Sequence, residues 1–439
     1  MTFLGIWMFP TLFLLIALGF PIAFSMLGVS LVFGYLRFGE KIVSLMVSKV
    51  NEVGSNYVLG AIPLFILMGA LLQRSGIAER LYDAVHIWTR KLPGGLAIGT
   101  IVMSTIFAAS TGVAGATETV IGLLAIPAML KYNYSKELIS GTICAGGSLG
   151  TIIPPGISVI VLAPIASLPV GSLFSGIMMP GLVMAGFFLL YILVISFVKP
   201  ELAPFAEFEE DDDHSLGAKL LITATALLPP VALIVVVLGS ILAGWATPTE
   251  AAACGAAGCF VLAVLHGRMT FAVMKDALFR TLGVTAMIIM IVLAGSIFSA
   301  VFYSTGGMRA MQSLLNDYGI TGGASIALIL LLTFVAGFVL DLISVILIVI
   351  PIAMPLVKAS GVDPLWFAVV FLIVLQAAYL TPPMAPSIFY LRGIAPKSIT
   401  LKHMYRGVIP FIFMQAATVA LVILFPGLAT WLPQVLYGN

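Results

Sequence analysis

Charge is scarce in this chain of 439 residues: 9% of it is Asp, Glu, Lys or Arg, where soluble domains carry about 25%. That shortage excludes an ordinary water-soluble domain, and 61% hydrophobic residues predict a polytopic all-α membrane protein. Alternating segments of about ten residues, the mark of a membrane β-barrel, are missing too. No Lys or Arg precedes Arg37, so the charged start of a cleaved signal peptide is lacking. Histidine is confined to His86, His214, His266 and His403, scattered along the chain. No HExxH or GxSxG pattern stands in it, which argues against an enzyme. No GxxxxGK[ST] loop stands in it either, so any ATPase would be a separate chain. The cysteines are Cys144, Cys254 and Cys259, odd in number and each in an apolar run. They read as small core residues rather than a disulfide or metal framework. The net charge of +2 gives no reason to expect a nucleic-acid partner.

What the chain does have is two apolar runs that each end on adjacent prolines. They are AGGSLGTIIPPGI (145–157) and AYLTPPMAPSI (378–388). Pro154-Pro155 and Pro382-Pro383 lack N–H donors, so a helix ladder must break at each pair. Broken ladders are tolerable at membrane depth only where protein or a watery cavity receives the freed backbone groups. One break in each half points to a transporter site near the bilayer midplane.

Ten spans are predicted at 3–18, 21–36, 57–73, 135–166, 172–198, 217–240, 247–265, 282–303, 364–394 and 408–432. Those at 135–166 and 364–394 are the broken ones. Residues 94–130 and 322–358 each hold two apolar arms around a polar tip, Ser110 to Gly115 and Leu340 to Ser344 respectively. They read as re-entrant hairpins; two full crossings each would preserve the same parity. With the N-terminus outside, only Arg37, Lys41, Lys49, Arg309 and Lys358 of the 20 Lys and Arg fall on the outer face. The positive-inside rule therefore supports a periplasmic N-terminus. The segment 199–216, KPELAPFAEFEEDDDHSL, becomes an acidic cytoplasmic linker, and no metal site is assigned to Asp211, Asp212, Asp213 and His214.

The two halves, 1–198 and 217–439, match in order. Gly69 pairs with Gly295, Ser75-Gly76 with Thr305-Gly306, Ile126-Pro127 with Ile350-Pro351, and Pro154-Pro155 with Pro382-Pro383, at offsets of 226, 230, 224 and 228. Five crossings per half would turn the second copy over, giving the inverted repeat of an alternating-access carrier. Ile77 to Lys91 is amphipathic and reads as an interfacial helix, with Phe271 to Arg280 as its counterpart.

At these residues the chain resembles the large membrane subunit of tripartite ATP-independent periplasmic (TRAP) transporters, within the ion-transporter superfamily. The likeness rests on Ala61 to Phe65, Ser75 to Arg80, Ser110-Thr111-Gly112, Gly141 to Ala145, Leu149 to Pro155 and Leu380 to Pro383. Two departures stand out: Gly156 where the family often has Ser, and Ala385-Pro386 where it often has Gly. The resemblance implies a Na⁺-driven elevator carrier in a bacterial or archaeal inner membrane, independent of ATP. It also implies two partners, a small four-helix membrane subunit and a soluble periplasmic substrate-binding protein, and a small carboxylate as substrate. A stand-alone carrier of the same superfamily is the alternative.

Na⁺ is hard and takes oxygen ligands. Helix C-terminal ends favour cations, and half-helix N-termini favour anions. One Na⁺ is expected between Ser110, Thr111, Gly112 and Gly146, Gly147, Ser148, and a second between Asp341, Ser344 and Thr381, Met384. Substrate is expected against Ser110, Thr111, Pro154, Pro155, Gly156, Thr381, Pro382 and Pro383. Each small or hydroxyl residue could instead serve helix packing. Three acids lie in or near apolar stretches, and carboxyls at such depth are costly and therefore functional candidates. Asp341 either shapes the second cation site or caps the return helix. Glu118 either belongs to the site or meets a helix dipole. Glu250, after Thr247-Pro248-Thr249, reads as part of a helix cap.

Overall fold

The computed structural model describes residues 4–89, 92–112, 114–204 and 215–438. Arg90, Lys91, Val113 and the acidic run containing Asp211, Asp212, Asp213 and His214 lie outside the described residues. After a 3-10 turn at Leu4–Trp7 come α1 (Met8–Ala17), α2 (Ile22–Phe38), α3 (Lys41–Gly54), α4 (Ala61–Arg74) and α5 (Ile77–Thr89). Helices α6 (Gly95–Thr111) and α7 (Ala114–Lys131) form the first hairpin. Helices α8 (Lys136–Ser148) and α9 (Ile157–Ala166) flank the first break, and α10 (Val170–Val198) closes the half. The second half opens with α11 (Leu216–Leu242), α12 (Pro248–Leu265), α13 (Phe271–Ser304) and α14 (Gly307–Asp317). Then follow the hairpin arms α15 (Gly323–Ala336) and α16 (Leu342–Ala359), and α17 (Pro364–Leu380) and α18 (Pro386–Ile394) around the second break. Last come α19 (Leu401–Leu424) and α20 (Gly427–Tyr437). No strand occurs among the described residues. Seven stretches are long and apolar enough to cross a membrane: Tyr57–Arg74, α10, α11, α12, α13, α16 and α19. This is a multi-pass membrane protein.

Local chemistry sets the helix starts. Ser135 accepts from the Leu138 N–H at 3.1 Å and Asp363 from the Leu365 N–H at 2.7 Å. Glu250 is in a capping box, as the sequence suggests: Thr247 Oγ1 accepts from the Glu250 N–H, and Glu250 Oε2 accepts from the Thr247 N–H at 2.8 Å.

Two boundaries differ from the sequence reading. Phe271 to Arg280 is not a separate interfacial helix; nothing breaks the ladder there, and it is the first third of the 34-residue α13. The helix that resembles α5 locally is α14. Both are amphipathic, and both follow a turn whose glycine takes positive φ, +72° at Gly76 and +81° at Gly306. The stretch 408–432 is two helices, because Pro426 has no N–H to continue α19.

The helices pack as two sets that meet through α5 on α6, α4 on α6 and α13 on α16. Helix α4 packs on α12 and α13, α13 also on α2 and α3, and α11 on α12 and α5. Arg74 and Asp276 form an ion pair, and Arg280 donates to Gln73 Oε1 at 3.1 Å, so the two halves are tied inside this group. In the other group, α8 packs on α6, α7 and α19, α17 on α15 and α19, and α18 on α7 and α8.

Two glycines line the seam between the groups, and they are the pair matched in the sequence. A Cβ on Gly69 of α4 would lie 3.1 Å from the Thr111 carbonyl, and one on Gly295 of α13 would lie 2.6 Å from Leu347 Cβ. Two hydroxyls complete the α13–α16 contact. Pro351 and Pro355 each lack an N–H, so the carbonyls four residues earlier, Leu347 and Pro351, lose their helical partners. The Ser299 hydroxyl donates to the Leu347 carbonyl at 3.2 Å, and the Tyr303 hydroxyl donates to the Pro351 carbonyl. A four-residue spacing on one helix thus answers a four-residue spacing of prolines on the other.

Candidate cation and substrate site

The first break is wholly enclosed: every residue from Leu138 to Ala163 is buried. Pro155 has no N–H for the Thr151 carbonyl, and the Ser158 hydroxyl takes that place at 2.8 Å. The Pro154-Pro155 and Pro382-Pro383 bonds are both cis. The second break is more open, with Pro383 and Met384 exposed, and Ala385 in the left-handed region at φ +42°.

The first hairpin tip docks on the first break. Gly112 ends α6 at φ +64°, its carbonyl accepts from the Ile157 N–H at 3.3 Å, and the Pro155 carbonyl fills the space a Cβ would need. Ser110, Thr111, Gly112, Pro154, Pro155 and Gly156 therefore gather in one place. Here the C-terminal end of α6 meets the N-terminal end of α9, so a negative and a positive helix end lie side by side. The Ser110 hydroxyl donates to the Ile106 carbonyl and the Thr111 hydroxyl to the Phe107 carbonyl, both at 3.0 Å. A donating hydroxyl keeps its oxygen lone pairs; the Thr111 oxygen also lies 3.0 Å from Thr117 Oγ1, so one of its lone pairs is engaged there.

Gly146 and Gly147 have a packing use. A Cβ on either would collide with Ser104 of α6 or with Glu118 of α7. Ser148 turns another way: its hydroxyl donates to the Ala145 carbonyl at 2.7 Å and accepts from Gln376 Nε2 at 3.3 Å and Gln415 Nε2 at 3.4 Å. Both glutamines are buried, and their Oε1 atoms have no hydrogen-bond partner.

At the second break, Thr381 caps α17, and its hydroxyl donates to the Ala377 carbonyl at 2.6 Å. A Cβ on Gly337, just past α15, would meet Ala378 Cβ at 2.6 Å, so this hairpin also approaches its break. Asp341 is the N-cap of α16. Its carboxyl accepts from the Ile343 N–H at 3.1 Å and the Ser344 N–H at 3.2 Å, and the Ser344 hydroxyl donates to the same carboxyl. Met384 is exposed and comes from the same turn as Pro382 and Pro383.

The arrangement is oxygen-rich, and among the described residues neither Glu118 nor Asp341 forms an ion pair. The two ion pairs among the described residues, Lys49–Glu52 and Arg74–Asp276, lie elsewhere. No group of three His, Cys, Asp or Glu able to hold a metal occurs among the described residues. Such a set suits a hard monovalent cation better than a transition metal.

The family model described as tripartite ATP-independent periplasmic transporter, DctM component, matches residues 9–428. The chain belongs to the TRAP large permease family. It is a membrane transporter and not an enzyme. It is 28% identical over 410 residues to the C4-dicarboxylate TRAP transporter large permease of Pseudomonas aeruginosa, covering 93% of each chain. It is 29% identical over 440 residues to the ectoine/5-hydroxyectoine TRAP transporter large permease of Ruegeria pomeroyi, covering 98% of this chain and 99% of that one. Among solved structures, the Alcanivorax borkumensis YdaH transporter superposes with a TM-score of 0.69 at 14% identity, over 96% of this chain and 100% of that one. The last likeness is one of fold.

Four residues at the TRAP permease's breaks were not assigned as ligands from the sequence: Glu118, Gln376, Ser387 and Gln415. A signal existed for three of them: Glu118 is an acid in an apolar stretch. Gln376 and Gln415 are lone amides inside apolar helices, and a buried amide must find partners.

Proposed function

We propose that this chain is the transport subunit of a Na⁺-coupled TRAP complex. It takes up a small carboxylate handed over by a periplasmic binding protein, alongside a small four-helix membrane subunit. The single observation that carries this reading is the docking of Gly112 on Pro155 and Ile157, which joins a hairpin tip to a helix break. Bound Na⁺ would supply positive charge beside an anionic substrate. Ser110, Thr111, Gly112, Gly146, Gly147 and Ser148 would hold one ion, and Asp341, Ser344, Thr381 and Met384 a second. The N-terminal ends of α9 and α18 face the same breaks and favour a carboxylate. C4-dicarboxylates and ectoine, for which two relatives are named, carry one; isethionate, for which another is named, carries a sulfonate instead, also an anion.

In this reading the halves are inverted repeats, and the N-terminus is periplasmic. The group holding both hairpins and breaks moves as an elevator past the group built on α4 and α13. Gly69 and Gly295 let the two groups approach closely, and the Ser299 and Tyr303 hydrogen bonds to α16 would part as the group moves.

Ser110→Ala and Thr381→Val each remove one oxygen and little volume. Each is expected to raise the Na⁺ concentration for half-maximal uptake by about tenfold, the loss of roughly 1–1.5 kcal/mol at one site. Asp341→Asn keeps a capping oxygen but removes charge. It should shift the Na⁺ requirement more than it shifts thermal stability. The test is Na⁺-dependent uptake by the reconstituted complex. Unchanged Na⁺ dependence in all three variants removes these side chains from the reading.

A further inference from the structure

Glu118 stands in α7, one turn beyond the first hairpin tip, and its carboxyl is 0% exposed. It lies over Gly147 in the last turn of α8, where only the missing side chain gives it room. Its Oε1 accepts from the Ser387 hydroxyl of α18 at 2.7 Å. That hydroxyl also reaches the Cys144 carbonyl of α8 at 3.3 Å. Ser387 has one proton for these two acceptors. Oε2 has no partner of ordinary hydrogen-bond geometry, and the group that faces the carboxyl there is the hydroxyl of the buried Tyr379 on α17. The carboxyl is thus served by two neutral hydroxyls, one of them shared with the Cys144 carbonyl. Among the described residues no Lys, Arg or His forms an ion pair with it. A buried carboxylate without a counter-charge is strongly unfavourable.

We propose that Glu118, with the Ser387 hydroxyl and the Cys144 carbonyl, forms a further site for a monovalent cation, adjoining the one at the first hairpin tip across Gly147 and distinct from it in its ligands. A hard cation supplies the missing charge and takes the carboxyl and carbonyl oxygens already gathered there as ligands. Its ligands come from the first hairpin, the first broken helix and the helix after the second break. Binding there ties both breaks to one hairpin. The site goes beyond the two-cation reading above, and it adds one ion to the chain's complement.

The test is equilibrium binding of radiolabelled Na⁺ to the full chain purified with its small membrane subunit. Glu118→Gln preserves shape and removes the charge. It is expected to bind one fewer Na⁺ per chain than the wild type, with the affinity of the remaining ions within about threefold. Ser110→Ala and Thr381→Val should weaken binding without losing the Glu118-dependent ion. Ser387→Ala leaves the carboxylate in place and should weaken that one ion by about tenfold, the effect of one lost oxygen ligand; it serves where Glu118→Gln does not fold. A Glu118→Gln chain that binds as many Na⁺ as the wild type overturns the site and leaves the coupling reading intact. So does a Ser387→Ala chain with unchanged affinities. A wild-type chain that binds no Na⁺ overturns both.

Discussion

Gly112→Ala is expected to reduce uptake to background while the chain still folds and inserts. Two effects add at this position. The backbone sits at φ +64°, where a side chain costs about 1–2 kcal/mol. The new Cβ would also press into the Pro155 carbonyl, a backbone atom that cannot rotate away. Relief requires moving the tip off the break, which lengthens the Ile157 N–H to Gly112 carbonyl bond, already 3.3 Å. The ligand oxygens of Ser110 and Thr111 move with it. Gly28→Ala in α2 is the matched control: nothing lies within 4 Å of its Cβ, and it belongs to neither break. Uptake and monodispersity of both variants, measured together, check the contrast. Wild-type uptake by Gly112→Ala would mean that the tip and the break need not touch.

The second large effect belongs to Gly407. It faces Gly141 where α19 crosses α8, and the two backbones touch. A Cβ on Gly407 would lie 2.9 Å from the Gly141 N and closer still to the Glu137 carbonyl. Small residues at such crossings let membrane helices approach closely. Phe411 and Gln415 follow at four-residue intervals on the same face. Phe411 packs edge-on against Phe188 and Tyr191, with centroids 5.3 and 5.1 Å away. Forcing the helices apart at Gly407 therefore strips Phe411 of its packing and pulls Gln415 from Ser148. Overpacking costs about 1–3 kcal/mol, and more where only backbone can yield. Gly407→Val should yield no monodisperse chain, and Gly407→Ala should lower the thermal midpoint by several degrees. Gly186→Ala, with nothing within 4 Å of its Cβ, should leave the midpoint unchanged or raise it. Size-exclusion profiles and melting curves in detergent separate these outcomes.

Much of this arrangement is legible in the chain because proline acts locally. Pro154-Pro155 and Pro382-Pro383 break their helices wherever they are placed, and the hairpin tips announce themselves by polar residues between apolar arms. The capping role of Glu250 is local too and reads correctly. The Glu118 cluster is not legible in the same way. Its members, Glu118, Cys144, Tyr379 and Ser387, come from four helices, and only their packing brings them together. Gly141 and Gly407 are two among 43 glycines, and neither reveals its partner. The α13–α16 contact lies between. The spacing of Pro351 and Pro355 predicts two orphaned carbonyls, but that Ser299 and Tyr303 answer them is a fact of tertiary structure. Helix α14 escaped the sequence reading because its amphipathic pattern is short and sits beside an apolar helix of 34 residues.

The central claim is Na⁺-coupled, ATP-independent uptake that needs a binding protein. Its most direct measurement is uptake into proteoliposomes holding this chain with its small membrane subunit, the binding protein being supplied outside with its radiolabelled ligand. The account predicts accumulation without ATP, only under an inward Na⁺ gradient and only with the binding protein present, falling to background when K⁺ replaces Na⁺. Full-rate uptake without Na⁺, or by the membrane subunits without the binding protein, would contradict it.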